Sequence, residues 1–273
     1  MKRSALLKRF VPSAAVLLAG AALALAAADK PAGPKKVKRI APTTRPAGPS
    51  TKPKADRPFN GKDLKGWVTK RRGSMGYWTV GTAALDKSDP RKFVVLPKGK
   101  ELINARGGGV DLYSKYVHGD AIIKIEVMVP KGSNSGIYVH GEYEIQILDS
   151  YGRDKRPGAG DMGAIYGAAP PKKPKYKKPG EWSQYEIHFR APRFDASGKK
   201  RIARAMFLKV ILNGRVIHQN LRMKGPTPGG VDGKEKPKGP LMFQGNHGPV
   251  AFRNIEIIPV KWSKPPAGPK PKK

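Results

Sequence analysis

The strictest constraint on this chain is a period of two. From Ala121 to Val129, Ile123, Ile125, Val127 and Val129 alternate with Lys124, Glu126 and Met128. That is the pattern of a strand with one buried face, whereas the apolar positions of a helix recur every 3.6 residues. Similar short runs predict strands at Gly136 to His140, Tyr143 to Leu148, Tyr185 to Phe189, Met206 to Leu212, Arg215 to His218, Leu241 to Gln244 and Val250 to Ile258. Between two of them lies Asn213-Gly214, a pair that accepts the two positive φ values of a type I′ turn and so closes a two-residue hairpin. No amphipathic helix of comparable strength and no internal repeat interrupts the series. The expected fold class is all-β, a sandwich of two antiparallel sheets with one sheet face left for a ligand.

The two ends of the chain follow a different rule. Lys2, Arg3, Lys8 and Arg9 precede an apolar run from Phe10 to Leu25 that ends in Ala26-Ala27-Ala28. This predicts an export signal over residues 1–28, cleaved near Ala28, and hence a periplasmic, extracellular or cell-surface protein, with an uncleaved anchor as the alternative. Residues 29–58 are almost entirely Lys, Arg, Pro, Ala, Gly and Thr, and residues 264–273 repeat that composition. Neither stretch holds enough apolar surface to pack, so both read as disordered basic segments flanking a folded domain over 59–263.

The chain carries 54 Lys and Arg against 20 Asp and Glu, a formal charge of +34. Basic termini suit an anionic cell-wall polymer or membrane surface, or act as a solvated tether. Nucleic acid is not the expected partner, because those termini contain no aromatic residue on which a base can stack. The absence of cysteine excludes a disulfide scaffold, Cys-ligated zinc, an iron–sulfur cluster, a thiol nucleophile and a lipid-modified N-terminus.

The stretch that can carry chemistry runs from Asn134 to Asp149. Alternation puts Glu142, Glu144 and Gln146 on one face and Tyr143, Ile145 and Ile147 on the other, with same-face neighbours about 6.5 to 7 Å apart. Two carboxylates and an amide in a row can grip sugar hydroxyls or move protons. An ordinary solvated strand face has the same pattern, and spacing alone leaves both readings open.

Six segments occur in an order that resembles one family. They are Phe59 to Trp67, Asn134-Ser135-Gly136-Ile137, Tyr143 to Asp149, Gly163-Ala164-Ile165-Tyr166-Gly167, Gly180-Glu181-Trp182 and Phe252-Arg253-Asn254-Ile255. This order is similar to that of the 3-keto-disaccharide hydrolase domains, and it covers nearly all of Phe59 to Trp262. The resemblance implies a concanavalin-like jelly-roll sandwich that hydrolyses glycosides oxidised at C3 of the sugar. Two places depart from the pattern: His140 stands where relatives often carry Arg or Gln, and Phe243-Gln244-Gly245-Asn246-His247-Gly248 replaces the more usual Leu-Gln-Asp-His-Gly.

A ketone at C3 acidifies the C2 proton and lies β to the glycosidic oxygen, so such a site needs a base, an enolate stabiliser and a proton donor. On this reading Glu144 is the base, with Asn134 and Gln146 as orienting groups. His247 donates to the leaving group or polarises the ketone, and Arg253 stabilises the enolate. Arg253 has a structural alternative, pairing with Asp149 to pin two strands. Tyr166 and Trp182 form a sugar platform or fill the core, and Glu142, Asp149 and Gln244 complete the substrate-binding set. His118, His188 and His218 read as surface or hydrogen-bonded structural residues. Glu144, Asp149 and His247 are possible ligands, but no dense motif demands a metal, and neither metal nor cofactor is expected. The rival is a non-catalytic carbohydrate-binding or cell-surface adhesion module, since a sandwich hosts either function.

Overall fold

The computed structural model describes residues 54–71 and 73–262. The export signal, most of the linker and the basic tail lie outside the described residues. A five-stranded sheet has the order β1 (Trp67–Thr69), β4 (Leu112–His118), β13 (Gly239–Phe243), β6 (Asn134–Val139) and β7 (Tyr143–Leu148). A seven-stranded sheet has the order β12 (Arg215–Arg222), β11 (Met206–Leu212), β8 (Ser183–Arg190), β5 (Ala121–Met128), β14 (Val250–Pro259), β3 (Phe93–Asn104) and β2 (Trp78–Leu85). A two-stranded ribbon, β9 (Arg193–Phe194) with β10 (Arg201–Ala203), stands beside it. All the pairings are antiparallel, and the described residues contain no helix.

Alternation decides what fills the space between the sheets. Ile123, Ile125 and Val127 of β5 and Tyr185, Ile187 and Phe189 of β8 face Ile137 and Val139 of β6 and Ile145 and Ile147 of β7 in one core. A ladder of four rings crosses from sheet to sheet: Trp67 lies 5.4 Å from Phe243, Phe243 stacks on Phe252 at 3.9 Å, and Phe252 lies 6.4 Å from Trp78. Both indoles are oriented by their one polar atom, Trp67 Nε1 donating to the Pro58 carbonyl at 3.0 Å and Trp78 Nε1 to that of Val110 at 2.7 Å.

The hairpin read at Asn213-Gly214 has the expected positive φ at both residues, 49° and 77°. The ordered domain begins earlier than the expected boundary at 59. Asp56 pairs with Ile257 through two backbone bonds of 2.8 Å, and Tyr116 Oη donates to its carboxylate at 2.5 Å. The basic composition around Asp56 hid these contacts, because backbone pairing asks nothing of the side chain.

His118, His188 and His218 are all hydrogen-bonded structural residues, His118 through its Nδ1, which lies 2.8 Å from the Gly119 carbonyl. His188 meets Glu186 at 2.6 Å and His218 meets the Gly163 carbonyl at 2.7 Å, as structural residues do. His118 is buried at the end of β4, edge-on to His140 at 5.6 Å between ring centres, and the Nε2 of each has no partner among the described residues. Burial pushes His118 down to about 4 and His140 down to about 3.

A histidine held neutral in the fold takes up its proton more readily when unfolded, so its stability contribution is present above about pH 6.5 and is lost as pH falls toward the folded value. The stability difference between the wild type and His118→Leu is expected to move by about 3 kcal/mol in the variant's favour from pH 7.5 to pH 4. Urea unfolding at several pH values measures it. A difference independent of pH would show that His118 is protonated equally in both states.

Candidate active site

The outer face of the five-stranded sheet carries the polar row. Tyr138 is opposite Glu144 and Gly136 is opposite Gln146 across the β6–β7 ladder, so these four residues share one side. The Glu144 carboxylate lies across Gly136, where a Cβ would come within 2.5 Å of Oε1. Any larger residue at 136 would push the carboxylate off the sheet. Beside it, Gln146 Nε2 donates to Asn134 Oδ1 at 2.9 Å, which fixes the amide orientation of both side chains.

The face is not open, as the sequence suggested, but roofed. Thr227 Oγ1 accepts the Glu144 amide at 2.9 Å and donates to the Glu142 carbonyl at 3.1 Å. Tyr138 Oη donates to the Pro228 carbonyl at 3.1 Å. Lys70 reaches in from the end of β1, its ammonium donating to the Gly229 carbonyl at 2.9 Å and lying 4.0 Å from the Asp111 carboxylate. Asp111 in turn accepts the Gly245 amide at 3.0 Å. A cleft of about 270 Å³ opens there, lined by Lys70, Arg71, Asp111 and Asn246. Along the other edge, the segment from Gly163 to Tyr166 pairs with β7 through Gln146 and Glu144, and it leaves the Tyr166 ring 42% exposed.

Electrostatics follow from the roof. Glu144 is only 3% exposed, and burial pushes its carboxyl up to about 7 against the opposing influence of the Tyr138 hydroxyl, with the Asp111 charge adding to the rise. Burial and the charge of Glu144 push the Tyr138 phenol upward too, so it stays protonated. The group is a proton acceptor poised near neutrality, beside the Tyr138 phenol.

Several expected site residues stand elsewhere. Glu142 shares the face of Glu144, yet its two oxygens accept the Asp232 and Gly233 amides, each at 3.0 Å, so it anchors the roof. Asp149 binds the Gly132 amide at 2.9 Å and braces a loop. Arg253 follows the core residue Phe252 in β14 and therefore points to the far side of the seven-stranded sheet. There it pairs with Glu126 at 2.7 Å and Glu101 at 3.6 Å and lies 4.1 Å from the Trp182 ring centre. The core separates both Arg253 and Trp182 from Glu144, and the pairing of Arg253 with Asp149 does not form.

His247 stands exposed on the loop after β13, its Nδ1 2.5 Å from Oδ1 of the cleft residue Asn246. Gln244 is fixed by its backbone amide on the Gly136 carbonyl at 3.0 Å, next to the Glu144 cradle. Lys70, Asp111, Tyr138 and Thr227 were missed. Only Tyr138 carried a sequence signal, its two-residue spacing from Gly136.

Glu144→Gln is expected to stabilise the protein at pH 8, by about 3 kcal/mol at most. A raised carboxyl pKa means that wild-type stability rises as pH falls from about 7 to 4.5, so the advantage of the variant shrinks over that window and vanishes below it. Parallel urea curves at pH 8 and pH 4.5 test this, and an equal difference at both would remove the buried charge as its cause.

Residues 54–258 match the model of the 3-keto-alpha-glucoside-1,2-lyase-like domains. Among solved structures, that of a proposed glycosyl hydrolase from Parabacteroides distasonis is 31% identical, with a TM-score of 0.55, over 76% of this chain and 84% of that one. A second from the same organism is 17% identical, with a TM-score of 0.50, over 74% of this chain and 92% of that one, and shows the fold alone. No curated protein matches.

Proposed function

The chain belongs to the family of 3-keto-alpha-glucoside-1,2-lyase-like domains, which are glycosyl hydrolase-like, and on that premise we propose that it cleaves glycosides oxidised at C3 by removing the C2 proton. One observation carries the reading: a carboxyl buried on a sheet face and pushed up to about 7. A base works best when its pKa lies near the working pH, because it is then both available and strong.

Glu144 takes the C2 proton, and the electron pair moves into the C2–C3 bond and onto the ketone oxygen. The Lys70 ammonium, held 2.9 Å from the Gly229 carbonyl, stabilises that enolate in the role expected of Arg253. The pair then returns to form the C1–C2 double bond and expel the aglycone from C1. The leaving oxygen takes a proton from His247, and addition of water to the unsaturated ketone completes a net hydrolysis. Asn134 and Gln146 hold the sugar hydroxyls, and the exposed Tyr166 ring supplies a stacking surface. With residues 1–28 read as an export signal, the reaction takes place in the periplasm or at the cell surface, where the basic termini hold the protein to anionic polymer.

The test uses 3-keto-glucosides beside their unoxidised parents. The wild type is expected to turn over only the keto sugars, more slowly when C2 carries deuterium. Glu144→Gln is expected to lose roughly 10² to 10⁴ in turnover with sugar binding kept. Lys70→Met is expected to lose roughly 10² or more, as for removal of an oxyanion donor. Sugar binding by the wild type without turnover of either substrate would reduce the protein to a binding module. Near-normal turnover by folded Glu144→Gln would end the role of Glu144 as base.

A further inference from the structure

A second site lies on the other sheet. Met206 of β11 is opposite Arg190 of β8 on one side and Arg222 of β12 on the other, so the three side chains share a face. Their neighbours Phe189 and Phe207 fill the core, which turns the arginine row outward. The β9–β10 ribbon folds beside the row and adds Arg201, and the segment that follows it adds Arg204. The four guanidinium groups line one cleft of about 520 Å³.

The charges there are poorly balanced. Arg201 pairs with Glu235, and the nearby Arg193 is engaged by Asp120 at 2.5 Å. Arg204 gives one nitrogen to the Lys224 carbonyl at 2.8 Å. Among the described residues, no carboxylate forms an ion pair with Arg190, Arg204 or Arg222. Arg190 is only 7% exposed, its Nε is buried without a partner, and its one hydrogen bond, to the Arg204 carbonyl, is long at 3.4 Å. Burial, and then the charges of Arg193 and Arg222, lower its pKa. A buried guanidinium with an unused donor carries a desolvation cost that an anion would offset.

We propose that this cleft binds a divalent oxyanion, sulfate or phosphate, through Arg190, Arg204 and Arg222. The choice of a tetrahedral ion follows from direction. The arginines approach from two separate strands and from the segment after the ribbon, whereas a planar carboxylate presents its oxygens in one plane and is satisfied by a single bidentate fork. The same chemistry is available from a free ion or from an ester on a larger glycan.

Calorimetric titration of the full chain with sodium sulfate and sodium phosphate, against sodium chloride and sodium acetate at matched ionic strength, tests the proposal. Saturable one-to-one binding of the divalent ions is expected. It should weaken at least tenfold in Arg222→Gln and in Arg204→Gln, whose side chains are exposed, and vanish in the double variant. Turnover of the 3-keto substrate should be unchanged. Arg190→Lys should weaken binding as well, through loss of the planar fork. Binding that is absent, that acetate matches, or that survives the double variant would overturn the site. A hexose phosphate that binds as tightly as phosphate would support an ester on a larger ligand as the occupant, whereas phosphate binding with none by the hexose phosphate would support a free ion.

Discussion

The contact of Phe243 with Phe252 organises the molecule. The two rings come from opposite sheets and stack at 3.9 Å, with Trp67 and Trp78 extending the ladder on either side. Truncating such a ring costs about 3 to 5 kcal/mol. The contact also sets direction on both sides of the sandwich. With Phe243 facing inward, the chain beyond it delivers Gln244 and Asn246 to the Glu144 end of the five-stranded sheet. With Phe252 facing inward, Arg253 has to leave on the opposite surface. A cation that shared a family motif with the site was thereby placed a full sandwich away from it.

The site itself opposes stability to chemistry. A carboxylate in an open sheet row would have kept its ordinary pKa and made a weak base near neutral pH. The roof from Thr227 to Gly233 excludes water from Glu144, which raises both its basicity and the cost of its charge. Glu142 carries the structural half of that arrangement by binding the roof amides. Two glutamates two residues apart thus have opposite duties, one spent in hydrogen bonds and one held in reserve.

This division marks the boundary of what the sequence made legible. Local order read well, because strand alternation and the Asn213-Gly214 turn depend on neighbours in the chain. The pairing of Asn134 with Gln146 crosses a single hairpin, and both were singled out from the same segment. The fates of Glu142 and Glu144 were not separable, because the residues that distinguish them lie more than 80 positions further along. Lys70 and Asp111 come from loops without a recognisable motif. The anion cleft was invisible for the same reason: its arginines belong to three separate strands and a connecting segment in a chain where basic residues are everywhere.

The cradle at Gly136 has one more consequence. The Glu144 carboxylate rests flat on a paired strand, between the neighbouring ladder and a roof tied at several points, so it has no swing from one side of a bound ring to the other. For a reaction that begins at C2, a base fixed in this way meets the hydrogen on only one face of the sugar. Epimers at C2 present hydrogen on one face and hydroxyl on the other, so under the proposed reaction the glycine that admits the carboxylate would also make the protein a reader of C2 configuration.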